Sequence, residues 1–326
     1  MYNVLVLCYH ELTFEYLPTF ETHLQLFTEL GYKTISAQDL FRIIQAKDKI
    51  EPNFILLTFD DGHVSNWLLT APLLQKYNFT GVFFVITDFI VQGKKRTLQE
   101  FKHIPSLGHA FELALLKRDY LGFMNYAELK ALQEDYGMEV YAHSSCHAPC
   151  FISLEKKGVF SSSSHWGVNA IYSPRQKGWP VFPIGSAYAY NGYWPVDQKQ
   201  KQQGDVEIDN VVFRKRTKKE RYNFCIDDFK RSYAKIRTMN KSELQFFCWP
   251  WGHFDKLSLR ALQEIGFKAA FTLERGYNGP GSDSFRIKRL GIGKQKSLNW
   301  LKNKLWLYKT KWGAKIGFKH FRKKED

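Results

Sequence analysis

The sequence predicts an α/β fold of parallel βαβ units, closed as a barrel or laid out as a doubly wound sheet. Three observations carry this. Short apolar runs recur along the chain, each too brief for a helix. Segments with apolar residues three and four apart lie between them, as a helix with one buried face requires. Several of those segments stop at a glycine, the residue that ends helices most readily. Strands alternating with helices imply parallel pairing.

Val4 to Cys8 reads as the first buried strand. Phe20 to Leu30 follows as a helix, with Phe20, Leu24, Phe27 and Leu30 on one face and Gly31 as its stop. Asn53 to Phe59 is the next strand, Ala71 to Tyr77 a helix, and Gly81 to Ile86 a strand. Tyr126 to Tyr136 is helical up to Gly137, and Met138 to Ala142 is a strand. Later come a helix over Ile226 to Met239, a strand over Phe246 to Cys248, a helix over Leu257 to Ile265 closed by Gly266, and a strand over Lys268 to Thr272. About seven such units fit the chain, and there is no internal repeat.

The chain has 326 residues, 44% hydrophobic and 16% aromatic, enough to build a large core. Lys plus Arg number 47 against 32 Asp plus Glu, a formal charge of +15. That excess points to an anionic partner: nucleic acid, a phospholipid surface or a phosphorylated substrate. No nucleic-acid-binding motif accompanies the charge, so nucleic acid is not expected. The opening MYNVLVLCYHEL lacks the positive start and long apolar run of a secretory signal. No stretch approaches the roughly 20 apolar residues of a membrane span. Five cysteines, an odd number, suit reduced thiols in a cytoplasm. Cys146 and Cys150 read as small buried residues, with metal ligation the alternative.

Thr58-Phe59-Asp60-Asp61-Gly62 directly follows a strand. Adjacent carboxylates at a strand end point different ways, so one can hold a metal while the other faces a substrate. In β/α barrels that end of the strand is where catalytic groups gather. His143-Ser144-Ser145-Cys146-His147 also follows a strand. Two imidazoles and one carboxylate from elsewhere make a three-ligand set with an open position, the arrangement of catalytic zinc.

With T-F-D-D-G followed by H-S-x-x-H, the chain resembles the polysaccharide deacetylases, the NodB-homology family. The resemblance implies an irregular (β/α)7 barrel that removes acetyl or formyl groups from the nitrogen of an amino sugar. By it, Asp61, His143 and His147 bind one divalent metal, zinc by donor type, and Asp60 is the general base. The loop Trp249-Pro250-Trp251-Gly252 is similar to the family's third motif, with the Trp251 N–H as oxyanion donor. Two departures stand out. The family's late Leu-x-His is missing from Phe285 to Ile292, and the third motif's Arg is absent, with Arg289 as its replacement. Cys8-Tyr9-His10 is similar instead to the circularly permuted poly-N-acetylglucosamine deacetylases, which makes His10 the expected acid. Tyr9, Trp249 and Pro250 are expected to touch the sugar, and His63 and His253 to be exposed or to support the ligands.

The resulting organisation is a catalytic barrel over 1–294, interrupted at 148–222 by an aromatic-rich insertion expected to serve as a substrate lid, and a basic tail over 295–326. In the tail Leu301, Leu305, Tyr308, Trp312 and Ile316 share one helical face among lysines, followed by Arg322-Lys323-Lys324. Such a helix either docks on the barrel or lies on an anionic membrane surface. The expected substrate is a lipid-linked or nucleotide-linked amino-sugar precursor of cell-surface polysaccharide, handled in the cytoplasm at the inner face of the membrane. The alternatives are N-deacylation of a non-sugar amide, or a carbohydrate-binding relative without activity.

Overall fold

The computed structural model describes residues 2–322 apart from 102, 162, 173–176, 241 and 295, and for 317–322 the backbone alone. Parallel strands ring the core: β1 (Leu5–Tyr9), β2 (Phe54–Phe59), β3 (Val82–Val85), β4 (Glu139–Ala142), β5 (Phe246–Cys248), β6 (Ala269–Phe271) and β7 (Leu290–Gly291). Their order is β6-β5-β4-β3-β2-β1-β7, and Lys33–Thr34 pairs on the start of β2. A parallel bridge from Phe271 to Ile287 joins the segment leading into β7 to β6, so the two edges meet and the barrel closes. β7 has two residues, too few to leave a periodic signal in the sequence.

Alternate residues of each strand serve two cores. Val6, Leu56, Phe84, Tyr141, Phe246 and Phe271 fill one with Leu40, Phe41 and Ile44. The last three lie on a helix, Ala37–Ile44, that the sequence pattern did not reveal. Leu7, Leu57, Phe83, Val140 and Phe247 fill the other, packing against the helices Leu17–Glu29, Lys218–Met239 and Lys256–Ile265. A strand buried on both faces must be apolar throughout, which is why these strands read as unbroken apolar runs.

The insertion is more regular than its sequence suggested. An antiparallel sheet runs in the order Val206–Ile208, Val211–Lys215, Tyr193–Val196, Pro149–Phe151, Ile184–Ser186. It has its own apolar cluster of Phe151, Val168, Tyr172, Phe182 and Phe213. The helix expected to begin at Ile226 begins at Lys218, where Thr217 and Glu220 form a capping box, so the irregular stretch ends before 222.

The tail is two helices, Leu298–Tyr308 and Lys311–Arg322, where one continuous face was expected. Asn3 forces the break: its N–H donates to the Lys309 carbonyl and its side-chain amide to that of Tyr308. Leu301, Leu305 and Tyr308 are buried against the barrel, whereas Trp312 and Ile316 are exposed. Lys323 and Lys324 lie outside the described residues.

Candidate active site

The turn after β2 places two carboxylates side by side. Asp61 and Gly62 both adopt left-handed backbone, φ 71° and 75°. A Cβ on Gly62 would lie 2.9 Å from a Val85 methyl, so only glycine fits there. The turn aims Asp60 and Asp61 in different directions, as the Asp-Asp-Gly spacing implied.

Asp61 faces the two histidines. Its Oδ1 lies 3.4 Å from His143 Nε2 and 3.6 Å from His147 Nε2. The three ligand atoms fall within 4.8 Å of one another, and all three residues are buried. The His143 N–H is fixed on the Val85 carbonyl, and the Ser144 and Ser145 carbonyls accept from Thr87 and Asp88. His143 Nδ1 lies 2.9 Å from the Cys248 carbonyl. Because a carbonyl only accepts, Nδ1 carries a hydrogen there, which leaves Nε2 as the nitrogen facing Asp61 and His147. Burial first, and His143 second, push the His147 imidazole down to about 3, so it is neutral.

Asp60 faces the barrel axis, where Arg289 meets it with two hydrogen bonds of 2.7 and 2.8 Å. The same guanidinium donates to the Thr272 carbonyl and the Thr58 hydroxyl. Burial pushes the Asp60 carboxyl up, but Arg289 and His143 outweigh it and hold the group well below the usual carboxylate range. The thiols of Cys8 and Cys248 each lie 3.5 Å from its Oδ2. His10 is exposed just past β1, with a ring nitrogen within 4.8 Å of an Asp60 oxygen.

Trp251 sits in the turn Pro250–Gly252 with φ 56°. Its ring lies 4.2 Å from that of His147 and stacks at 5.5 Å on Trp166 of the insertion, which stacks in turn at 3.9 Å on Phe111. The insertion thus contributes an aromatic wall beside the histidines.

Three residues expected to contact substrate lie elsewhere. Trp249 is fully buried between Phe247, Phe229 and Phe254, and Pro250 is buried beside it. Tyr9 is buried with its hydroxyl 3.3 Å from His23 Nδ1. His63 is buried rather than exposed, held by the Ser65 hydroxyl and the Pro105 carbonyl, and burial pushes it down to about 4. His253 is exposed against Tyr190. Cys146 and Cys150 are free thiols, and neither joins a metal-competent cluster among the described residues.

Asp228 was not anticipated. From the helix Lys218–Met239 it accepts from the backbone N–H groups of Ser145 at 2.9 Å and Cys146 at 3.3 Å, and from the Tyr188 hydroxyl at 3.0 Å. It therefore clamps the loop that carries His143 and His147. Burial pushes its carboxyl up to about 6 despite these donors. The signal lay in the helix pattern: Asp228 shares a face with the buried Cys225, Phe229 and Ser232.

Residues 47–270 match the profile of the family described as "Polysaccharide deacetylase". The chain belongs to the polysaccharide deacetylase family. A curated relative, the "Putative polysaccharide deacetylase YxkH" of Bacillus subtilis, is 27% identical over 93 residues, covering 28% of this chain and 33% of its own length. Among solved structures, the de-N-acetylase from Aggregatibacter actinomycetemcomitans superposes with a TM-score of 0.61 at 17% identity, over 92% of this chain and 99% of that one. IcaB from Ammonifex degensii gives 0.56 at 17%, over 96% and 98%. The BpsB deacetylase domain from Bordetella bronchiseptica gives 0.58 at 19%, over 89% and 96%. At these identities the likeness is one of fold.

Proposed function

We propose that the protein is a metal-dependent hydrolase that removes an N-acetyl or N-formyl group from an amino sugar. The carrying observation is the buried Asp61–His143–His147 cluster beside Asp60 and His10. The donor set fits a divalent ion: two imidazoles and one carboxylate, with His143 oriented by its Nδ1 bond to the Cys248 carbonyl. Such a set suits zinc. When bound, the ion polarises the acyl carbonyl and makes water acidic enough to lose a proton near neutral pH.

The chain's own groups supply the rest. Asp60, kept ionised by Arg289, takes the proton from the attacking water. The Trp251 N–H, in the second position of the turn Pro250–Gly252 and left without an acceptor by the turn's own bonds, serves as the donor to the developing oxyanion. His10, open to solvent, donates a proton to the leaving amine. Amide and water become amine and carboxylate. The insertion, with Trp166 against Trp251, acts as a lid on this mouth.

The substrate we favour is a phosphorylated precursor, lipid-linked or nucleotide-linked, which agrees with the +15 charge. Trp306 and Trp312, exposed at 80% and 78% on the two basic tail helices, support placement on an anionic membrane at its cytoplasmic face. Sedimentation with anionic vesicles, comparing the full chain with Trp306→Ala/Trp312→Ala, tests that placement; equal binding by both overturns it. The function itself is tested by acetate or formate release from a panel of N-acylated sugars and non-sugar amides. Release from the sugars supports the reading, release from non-sugar amides alone replaces it, and release from none leaves a carbohydrate-binding relative.

A further inference from the structure

The insertion reaches the catalytic groups through Trp166. This residue opens the short helix Trp166–Ile171, which docks on the helix Leu107–Lys117. The Trp166 ring lies face to face with Phe111, at 3.9 Å and 6°. The Asn169 side-chain amide donates to Glu112 at 2.6 Å. The Trp251 ring continues the near-parallel row, 5.5 Å from Trp166 and at 15° to it. We propose that Trp166 is a positioning residue for the oxyanion donor, holding the Trp251 ring so that its backbone keeps the N–H turned to the acyl group.

The need for such a hold comes from the backbone of Trp251. At φ 56° and ψ 8° it is left-handed, a conformation that its Cβ opposes and that a bulky residue seldom adopts. Such a residue persists only where its surroundings over-determine it. The turn's own bonds are not enough. Gly252 donates to the Trp249 carbonyl at 2.8 Å and His253 to that of Pro250 at 3.2 Å, and both bonds pass over the peptide groups of Trp251 itself. The ring carries the remaining restraint, against His147 at 4.2 Å and Trp166 at 5.5 Å. His147 ends a loop that Asp228 clamps, and Trp166 is backed by Phe111, which is buried against Phe89 and Phe123. Removing Trp166 takes away a wall. The turn can then relax to an ordinary φ, which rotates the peptide that carries the N–H. Stacking on the sugar is a poorer fit for Trp166, because Phe111 covers one face of its ring and Trp251 lies nearly parallel to it.

The inference rests on the deacetylase reading, with Trp251 as the oxyanion donor, and the experiment keeps the two apart. Trp166→Ala, Trp166→Phe and Asn169→Ala are compared with the wild-type chain. The measurements are acetate release from N-acetylated amino sugars, metal content, and crystal structures that read the Trp251 φ. Loss of one oxyanion donor lowers kcat about 100–1,000-fold, and a misplaced donor retains part of its effect. Trp166→Ala is expected to lose at least about tenfold in kcat, with KM and metal content within about twofold, the pattern of a contact made only in the transition state. Its Trp251 φ is expected to leave the left-handed region. Trp166→Phe keeps a flat ring and is expected to recover most of the loss. Asn169→Ala loosens the same helix without touching the rings and is expected to keep kcat. A raised KM at unchanged kcat makes Trp166 a substrate contact. Loss of metal makes it a support for His147, and an equal fall of kcat in Asn169→Ala makes it a dock for the insertion. Each of these overturns the proposal. If the wild type turns over no sugar, the deacetylase reading falls and the Trp251 φ decides: a left-handed value kept in Trp166→Ala removes the positioning role, and a released one upholds it.

Discussion

Arg289 grips Asp60 through both carboxylate oxygens, at 2.7 and 2.8 Å, with both side chains buried. Removing one partner of a buried pair strands the other charge at a cost of about 3–5 kcal/mol. Arg289→Leu is therefore expected to lower stability by that order in chemical denaturation. It also removes the main influence holding the Asp60 carboxyl down, leaving burial to push it up. A base must be ionised, and the wild-type carboxylate loses its charge only as pH falls through its depressed value. The acidic limb of activity is expected to move to higher pH in the variant, and an unmoved limb refutes the coupling.

The metal is expected at about one ion per chain, the stoichiometry of a three-ligand catalytic centre. His147→Ala is expected to lose it by elemental analysis after dialysis, while the circular dichroism spectrum is retained. Full occupancy in that variant would remove His147 from the ligand set.

Asp60→Asn is expected to keep the metal and lose roughly 100-fold or more in kcat, the usual size of a general-base contribution. His10→Ala is expected to behave alike, since its ring nitrogen lies within 4.8 Å of Asp60. A fully active His10→Ala moves the acid elsewhere, and the exposed His253 is then the next to replace.

Asp228 touches no ligand nitrogen, yet two N–H groups between the histidines end on it. Asp228→Ala strands those donors at about 1–3 kcal/mol each. Metal affinity is expected to fall about 10–100-fold, as for other groups that orient ligands. Competition with a chelating dye reads this directly, with Asp228→Glu expected to recover part of the loss. Unchanged affinity in Asp228→Ala would make the contact merely structural.

The sequence alone exposed the barrel because its strands are buried on both faces, and two-sided burial leaves an unbroken apolar run. It exposed the candidate ligands because Asp61, His143 and His147 sit in short segments directly after such runs. What it misplaced follows from alternation along a strand. Cys8, Asp60 and Cys248 meet around one carboxylate at the barrel axis, so Tyr9 and Trp249, one residue on, pack among outer side chains such as Phe20 and Phe254. Motif position suggested substrate contact, whereas strand parity sends both rings away from the mouth. Asp228 stayed hidden because Ser145 and Cys146, whose N–H groups it accepts, lie more than 80 positions away, on a loop that only the fold brings near. The tail's continuous stripe failed for a similar reason: Asn3, from the other end of the sequence, supplies the bonds that interrupt it.

The Asp60–Arg289 pair also sets an order of events. Its members are 229 positions apart, and β7 can add to β1 only after nearly every other barrel strand has been made. On a ribosome, the early strands emerge with Asp60 among them and no guanidinium to meet it. Bringing such distant segments together carries a loop-closure cost that later contacts must repay. The half-made barrel is thus an open sheet with a charged group at its centre and two unpaired edges. The nascent chain is exposed to aggregation until β7 arrives, so the step that closes the fold is the same one that completes the catalytic base.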